Sequence, residues 1–100
     1  MSMQPHPYAD PVLEQVREAI AELSPLQLDS TAIDPDASLL ELGMDSLRIV
    51  DLTVELEDRL HVREFPIQDW ADEEAHVEGQ QYTVRSLATA FSALVHSREL

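Results

Sequence analysis

Ser46 is the residue whose type and position best suit covalent chemistry. It follows Asp45 in the stretch "LLELGMDSLRIVDLTVELEDRL", residues 39–60, where a long helical pattern begins. A catalytic serine of the hydrolase type needs a nearby glycine and a histidine base. Leu47 and Arg48 follow Ser46 instead, and the four histidines of the chain are scattered along it. We therefore do not expect Ser46 to catalyse a reaction itself.

Ser46 is better suited to carry a group. Asp45 is a preferred N-cap residue, able to accept a hydrogen bond from the backbone N–H of Leu47 or Arg48. Ser46 then lies in the first helical turn, where the helix dipole and unpaired N–H groups favour an attached phosphate. Asp45 repels such a phosphate, and Arg48 is close enough in sequence to offset this. Serine is also simply a common residue at helix ends, so both interpretations stay open on the local sequence.

The helix predicted over residues 46–60 has two apolar faces. One face has the spacing of a core stripe and contains Ile49, Leu52, Leu56 and Leu60. The other is offset around the axis and contains Leu47, Val50 and Val54, with Asp51, Glu57 and Asp58 beside it. An exposed apolar strip bordered by carboxylates is typical of a docking surface. A more deeply buried helix explains the same pattern.

Three further helices are predicted around this one. Asp10 as N-cap and Pro11 in the first position begin a helix that Pro25 ends. Thr83 caps a last helix, and a short one runs through "QDWADEEAH". The fold class is thus all-α: a bundle of three main helices and one short helix, with a long loop between helices 1 and 2. We expect residues 1–9 to form a flexible tail and residues 10–97 a single domain.

The connection over residues 25–45 is longer than most loops of compact domains. We expect Leu26, Leu28 and Ile33 to attach it to the core. Ser38 and Glu41 have the spacing of a capping box, which predicts a short helical turn before Ser46. A functional loop and a plain crossover between parallel helices both fit this connection.

The charge of the chain narrows the function classes. Twenty acidic residues and six arginines give a formal net charge of −14 over 100 residues. Such a surface repels nucleic acid and anionic lipid and attracts basic partners. No signal peptide is recognised, and no apolar run approaches the roughly 20 residues of a membrane span. We therefore expect a cytoplasmic protein that binds neither nucleic acid nor membrane.

Metal binding is not expected. The chain has no cysteine, which excludes disulfides and thiolate ligands. The stretch "DPDASLLELGMD" has acidic residues spaced somewhat like a calcium loop. An EF-hand loop needs glycine at its sixth position and glutamate at its twelfth, where this chain has Leu39 and Asp45.

The stretch around Ser46 resembles the attachment motif of the acyl and peptidyl carrier proteins. That motif is a leucine-glycine pair, one residue, then Asp-Ser-Leu and an apolar, acidic helix. Here it comprises Leu42, Gly43, Met44, Asp45, Ser46 and Leu47. The start of the last helix is also similar, at Thr83, Val84 and Leu87. The resemblance covers roughly residues 10–96.

The resemblance implies a role for Ser46 and for the helix behind it. Ser46 would accept a 4'-phosphopantetheine arm from coenzyme A through a separate phosphopantetheinyl transferase. The thiol of the arm would hold an intermediate as a thioester, in a chain that has no cysteine of its own. Gly43, Asp45 and Leu47 would belong to the attachment site. The residues implied for partner docking are Leu47, Val50, Asp51, Val54, Glu57 and Asp58.

The resemblance further implies a non-catalytic, stand-alone carrier that acts as a monomer. Its partners would be the transferase, a loading ligase, adenylating enzyme or acyltransferase, and downstream synthases or condensing enzymes. Fatty-acid-like, polyketide and nonribosomal peptide biosynthesis all remain open. An unmodified carrier-like docking module is the alternative, because it would have the same fold and charge.

Two features depart from the family pattern. Arg48 is a basic residue early in the recognition helix. The segment "FPIQDWADEEAHVEGQQYTV" is longer than most members have between the second and last helices. In it we expect Trp70 to join the core and the acidic run Asp72, Glu73 and Glu74 to form a solvated face.

Overall fold

Four α-helices form the described part of the chain. The computed structural model describes residues 10–98. The helices are α1 (Pro11–Leu23), α2 (Ser46–Leu60), α3 (Ile67–Glu74) and α4 (Val84–Arg98), with a short 3₁₀ turn at Ser30–Ala32. Among residues 10–98 the only β-type pairing is an isolated bridge between Ser38 and Thr83. The predicted all-α bundle with one short helix is confirmed, while the tail predicted at residues 1–9 lies outside the described residues.

The helix ends follow from local sequence. Three predicted cap residues accept hydrogen bonds from backbone N–H groups two or three positions further on: Asp10, Asp45 and Thr83. Pro11 occupies the first turn of α1, which ends at Leu23, two residues before Pro25. Each cap satisfies N–H groups that a helix leaves unpaired, so the caps fix where each helix begins.

The core lies between α1, α2 and α4, and α3 closes one side of it. Its largest fully buried side chains are Phe91, Ile20, Leu39, Met44, Leu52, Leu56, Leu87, Val16 and Val84. Phe65, from the α2–α3 connection, stacks on Phe91 with ring centroids 4.1 Å apart. Trp70 of α3 is buried in the same cluster, as predicted. Leu39 and Met44 lie at the two ends of the turn before Ser46, and both belong to the core. This turn is therefore attached to the core at both ends.

Hydrogen bonds also hold the long connection between α1 and α2. The Ser24 hydroxyl donates to the Leu42 carbonyl over 2.7 Å. The Ser38 N–H donates to a Glu41 carboxylate oxygen over 3.3 Å, and the Ser38 hydroxyl accepts from the Leu40 N–H over 3.2 Å. The predicted capped turn is therefore formed directly before α2.

One predicted anchor of this connection is wrong. Ile33 is buried and Leu28 is half-buried, but Leu26 is 53% exposed. The chain reverses here with Gln27 at a φ of 55°, which turns Leu26 away from the core. Leu26 packs instead on Gly43: a β-carbon at position 43 would lie 3.0 Å from Leu26 Cγ, and φ there is 83°. Glycine suits both the close approach and the left-handed backbone.

Among residues 10–98, none of the helices combines the length and the apolar character that a bilayer crossing requires.

Candidate functional site

Ser46 is the first residue of α2 and is exposed. Among residues 10–98, no hydrogen-bond partner is found for its hydroxyl. Two buried serines, Ser24 and Ser38, by contrast use their hydroxyls to hold the preceding loop. The Ser46 oxygen is therefore accessible to an enzyme that approaches from solvent.

The first turn of α2 fixes the direction of Ser46. The Asp45 carboxylate accepts from the Arg48 N–H over 2.9 Å, and the Asp45 carbonyl accepts from the Ile49 N–H over 2.9 Å. The first N–H groups of any helix have no partner within that helix, so those of Ser46 and Leu47 can face an anion. Asp45 is exposed, which means that water screens its repulsion of a phosphate on Ser46.

Arg48 has a structural partner that the sequence did not indicate. Its guanidinium Nη1 donates to the Leu23 carbonyl over 2.9 Å, at the C-terminal end of α1. The last turn of α1 has no basic residue of its own, and a cation at that end is favoured by the helix dipole. Arg48 therefore joins α2 to α1 through this bond.

The outward face of α2 is apolar and exposed. Leu47 is 72% exposed, Val50 46% and Val54 59%, whereas Leu52 and Leu56 are fully buried. The second apolar face is thus real, and the alternative of a helix buried all round is excluded by these values. Single exposed apolar residues are common, but three in a row along one helix form a surface that a partner can cover.

The three acidic residues predicted beside this strip differ in their surroundings. Asp51 and Asp58 are exposed. Glu57 is half-buried, and its carboxylate accepts from the Phe65 N–H over 2.8 Å. Glu57 therefore holds the α2–α3 connection as well as lying next to Asp58, and sequence reasoning did not reveal this second role.

An open groove begins at Ser46 and runs between α2 and α3. Its volume is about 450 Å³, and its lining includes Ser46, Ile49, Val50, Ile67, Trp70 and Tyr82. The Trp70 indole N–H donates to the Ser86 hydroxyl over 3.0 Å, and the Tyr82 hydroxyl donates to the Ala71 carbonyl over 3.2 Å. Because these polar atoms are already paired, the two rings present mainly apolar surface to the groove. Nothing in the sequence pattern indicated this groove.

The acidic run in α3 is only partly solvated. Asp72 and Glu73 are exposed as predicted, but Glu74 is 8% exposed. The Glu74 carboxylate accepts from the Tyr82 N–H over 2.9 Å. The prediction of a solvated Glu74 is therefore wrong, because the chain folds back after α3 and brings a backbone donor over it.

The chain belongs to the phosphopantetheine-attachment family of acyl and peptidyl carrier proteins. The family model described as a phosphopantetheine attachment site matches residues 14–69, more than half of the chain, and this range includes Ser46. No curated protein and no solved structure matches the chain. In this family the domain is the site of covalent 4'-phosphopantetheine attachment. Its members dock on phosphopantetheinyl transferases and biosynthetic enzymes, and are generally carriers without catalytic activity.

The residues around Ser46 fit the attached group. The hydroxyl is accessible, the first turn offers unpaired N–H groups to a phosphate, and a groove begins where the arm would leave the protein. When attached, the group supplies a thiol that holds an acyl group as a thioester.

Proposed function

We propose that this protein is a stand-alone carrier whose Ser46 hydroxyl bears the 4'-phosphopantetheine arm. The arm holds a biosynthetic intermediate as a thioester and presents it to partner enzymes. The observation that carries this proposal is the exposed Ser46 at the start of the capped helix α2, inside the family-matched residues. Gly43, Asp45 and Leu47 support the site by shaping the turn before Ser46, capping α2 and contacting partners.

Exposure distinguishes Ser46 from the other serines of the matched range. Residues 14–69 contain four serines, and Ser46 is the exposed one. Ser24 and Ser38 are buried and Ser30 is half-buried. A transferase that must bring coenzyme A to a hydroxyl can therefore reach Ser46 most directly.

Attachment needs no catalytic group on the carrier itself. The Ser46 oxygen forms a new bond to the phosphorus next to pantetheine, and the P–O bond to the second phosphate of coenzyme A breaks. Adenosine bisphosphate leaves, and the hydroxyl proton passes to a base on the transferase. The carrier contributes position, because Asp45 caps α2 and fixes the direction from which the oxygen is approached.

The outward face of α2 is the proposed docking surface. We define it by Leu47, Val50, Asp51, Val54, Glu57 and Asp58. Its apolar side chains offer area that a partner can bury, and its carboxylates attract a basic surface. The transferase, the loading enzyme and the downstream synthase would each use this surface in turn, since each must reach the arm on Ser46. Fatty-acid-like, polyketide and nonribosomal peptide pathways all employ such a carrier.

Intact mass tests this proposal. The purified protein is incubated with coenzyme A and a broad-specificity phosphopantetheinyl transferase, and its mass is compared before and after. We expect a gain of one phosphopantetheine group, complete loss of the gain in Ser46→Ala, and an unchanged gain in the matched control Ser30→Ala. A folded wild-type protein that gains no mass would support the unmodified docking module instead.

A further inference from the structure

The end of α1 is hydrogen-bonded to the chain on both sides of Ser46. Before Ser46, the Leu42 carbonyl accepts from the Ser24 hydroxyl over 2.7 Å. After Ser46, the Arg48 guanidinium donates to the Leu23 carbonyl over 2.9 Å. Leu23 and Ser24 are consecutive, so the two bonds meet at one short stretch of backbone at the end of α1. We call this pair of hydrogen bonds the α1 clamp.

The Ser24 side of the clamp is buried. The Ser24 N–H donates to the Ile20 carbonyl over 2.8 Å, and the Ser24 hydroxyl accepts from the Leu26 N–H over 3.1 Å. Because the hydroxyl also donates to Leu42, it is engaged as donor and acceptor at once, which favours a single side-chain rotamer. Ser24 therefore holds the Leu42 carbonyl in a defined place shortly before Ser46.

The Arg48 side of the clamp suits the electrostatics at the end of α1. The Leu23 carbonyl is one of those that a helix leaves unpaired at its C-terminal end. The last turn of α1 has no basic residue, and the helix dipole favours a cation there. The backbone N–H of Arg48 is bonded to the Asp45 carboxylate. One residue thus takes part in both the clamp and the N-cap, on the helical turn that begins with Ser46.

The clamped turn is also closely packed. A β-carbon at Gly43 would lie 3.0 Å from Leu26 Cγ and 3.2 Å from Pro25 Cδ, so the residues that follow α1 lie directly against the turn. The next residue, Met44, is fully buried in the core. The turn that leads to the exposed Ser46 is therefore held by packing as well as by hydrogen bonds.

We propose that Ser24 and Arg48 are positioning residues for transfer of the arm, because they hold the chain on both sides of the Ser46 oxygen. This inference rests on the proposed function, in which Ser46 is the acceptor. In phosphoryl transfer the attacking and leaving oxygens lie roughly in line with the phosphorus, and a small misplacement lowers the rate of the chemical step steeply. The docking surface on α2 brings the transferase to the carrier, and the α1 clamp acts after docking, through the placement of Ser46.

Single-turnover kinetics separates positioning from docking. The unmodified protein is mixed with coenzyme A and increasing excess of a broad-specificity phosphopantetheinyl transferase, and intact mass is followed in quenched samples. The maximal rate and the half-saturating transferase concentration are obtained for each variant. We expect Ser24→Ala and Arg48→Met each to lower the maximal rate about tenfold and to keep the half-saturating concentration within about twofold of wild type. Asp51→Arg, on the docking surface, should mainly raise the half-saturating concentration.

Matched variants distinguish the clamp from a general loss of stability. Ser24→Thr and Arg48→Lys each keep a hydrogen-bond donor and should retain most of the maximal rate. Arg85→Met removes the same charge from an ion pair on α4 and should behave as wild type. Hydrogen exchange should rise at the N–H groups of residues 42–44 in Ser24→Ala and Arg48→Met, and stay unchanged in α4. Arg48 is exposed, so Arg48→Met should fold and give the result even where Ser24→Ala does not fold.

Either of two results would contradict the positioning role while the carrier function stands. The first is a maximal rate in Arg48→Met that equals that of wild type. The second is an equal fall in Arg48→Met and Arg85→Met, which would assign the loss to net charge. Wild-type protein that gains no mass at Ser46 would overturn the proposed function and this inference together.

Discussion

The two faces of α2 are made of the same kinds of residue but have opposite surroundings. Leu52 and Leu56 are fully buried against the core, whereas Leu47 and Val54, on the same helix, are largely exposed. The hydrophobicity of these side chains does not explain which of them are buried. Their angular position around the helix axis, toward α1 and α4 or away from them, explains it. One apolar stripe is enough to fold a helix onto a core, and the second, exposed stripe supports the docking surface proposed above.

The two sides of α2 also differ in how their carboxylates are paired. Toward α1, Arg59 forms ion pairs with Glu18, Glu22 and Glu55. On the outward side, no arginine among the described residues pairs with Asp51 or Asp58. Arg59 therefore stabilises the seam between α1 and α2, and the outward carboxylates remain available to a basic partner.

The largest effect on stability is expected on the inward face. Leu56→Ala should lower the free energy of unfolding by about 2–5 kcal/mol, because it leaves a cavity in the core. Val54 lies half a helical turn away, on the outward face. Val54→Ala should change the free energy of unfolding by no more than about 0.5 kcal/mol. Urea denaturation of both variants measures this difference. Similar losses in the two would mean that α2 does not have one buried and one exposed face.

A charge reversal on the outward face should affect partner kinetics. Asp51→Arg should lower the transferase kcat/KM about tenfold, equivalent to roughly 1.4 kcal/mol, because it repels a basic partner surface. Its stability should change by less than about 0.5 kcal/mol. Asp72→Arg makes the same charge change on an exposed residue of α3 and serves as the control. Equal kinetics in wild type and Asp51→Arg would place the docking surface elsewhere.

The smallest effect is expected from a surface ion pair away from α2. Arg85 donates a hydrogen bond to Asp36 over 2.9 Å, and this bond, followed by the charge attraction, lowers the pKa of Asp36 below its ordinary 3.8. A lowered folded-state pKa stabilises the fold above the ordinary value, and the contribution disappears as pH falls through the folded-state pKa. Wild type should therefore lose its small advantage over Asp36→Asn as the pH falls from about 5 to below 3.8.

Thermal melts of the two proteins across that pH range measure the change. A stability difference that stays constant over the range would contradict the pairing of Asp36 with Arg85.

Much of the fold was readable from the sequence because its signals are local. Asp10 with Pro11, Asp45 and Thr83 each mark a helix start through contacts with the next few residues, and all three were predicted correctly. The two stripes of α2 follow from helical periodicity alone. The attachment motif around Ser46 is likewise contiguous, so the position of the candidate site could be predicted without knowing the packing.

The errors concern contacts that depend on distant parts of the chain. A contact that was missed is that of Arg48, which bonds to a carbonyl 25 residues earlier, because a long flexible side chain gives no sign of its partner in the sequence. Glu74 is buried where the chain folds back after α3, and its carboxylate accepts from the N–H of Tyr82, which has a positive φ. Leu26 is exposed because Gln27 reverses the chain. The groove beside Ser46 arises from these same long-range arrangements.

The central claim is that the exposed Ser46 at the start of α2 is the acceptor of the phosphopantetheine arm. The most direct test is fragmentation mass spectrometry of peptides from protein loaded with coenzyme A and the transferase. We expect the added phosphopantetheine group on the peptide that contains Ser46, localised to Ser46 itself. Localisation to another hydroxyl of the same domain would contradict the account, since it would separate the attachment point from the capped turn, the outward face of α2 and the groove.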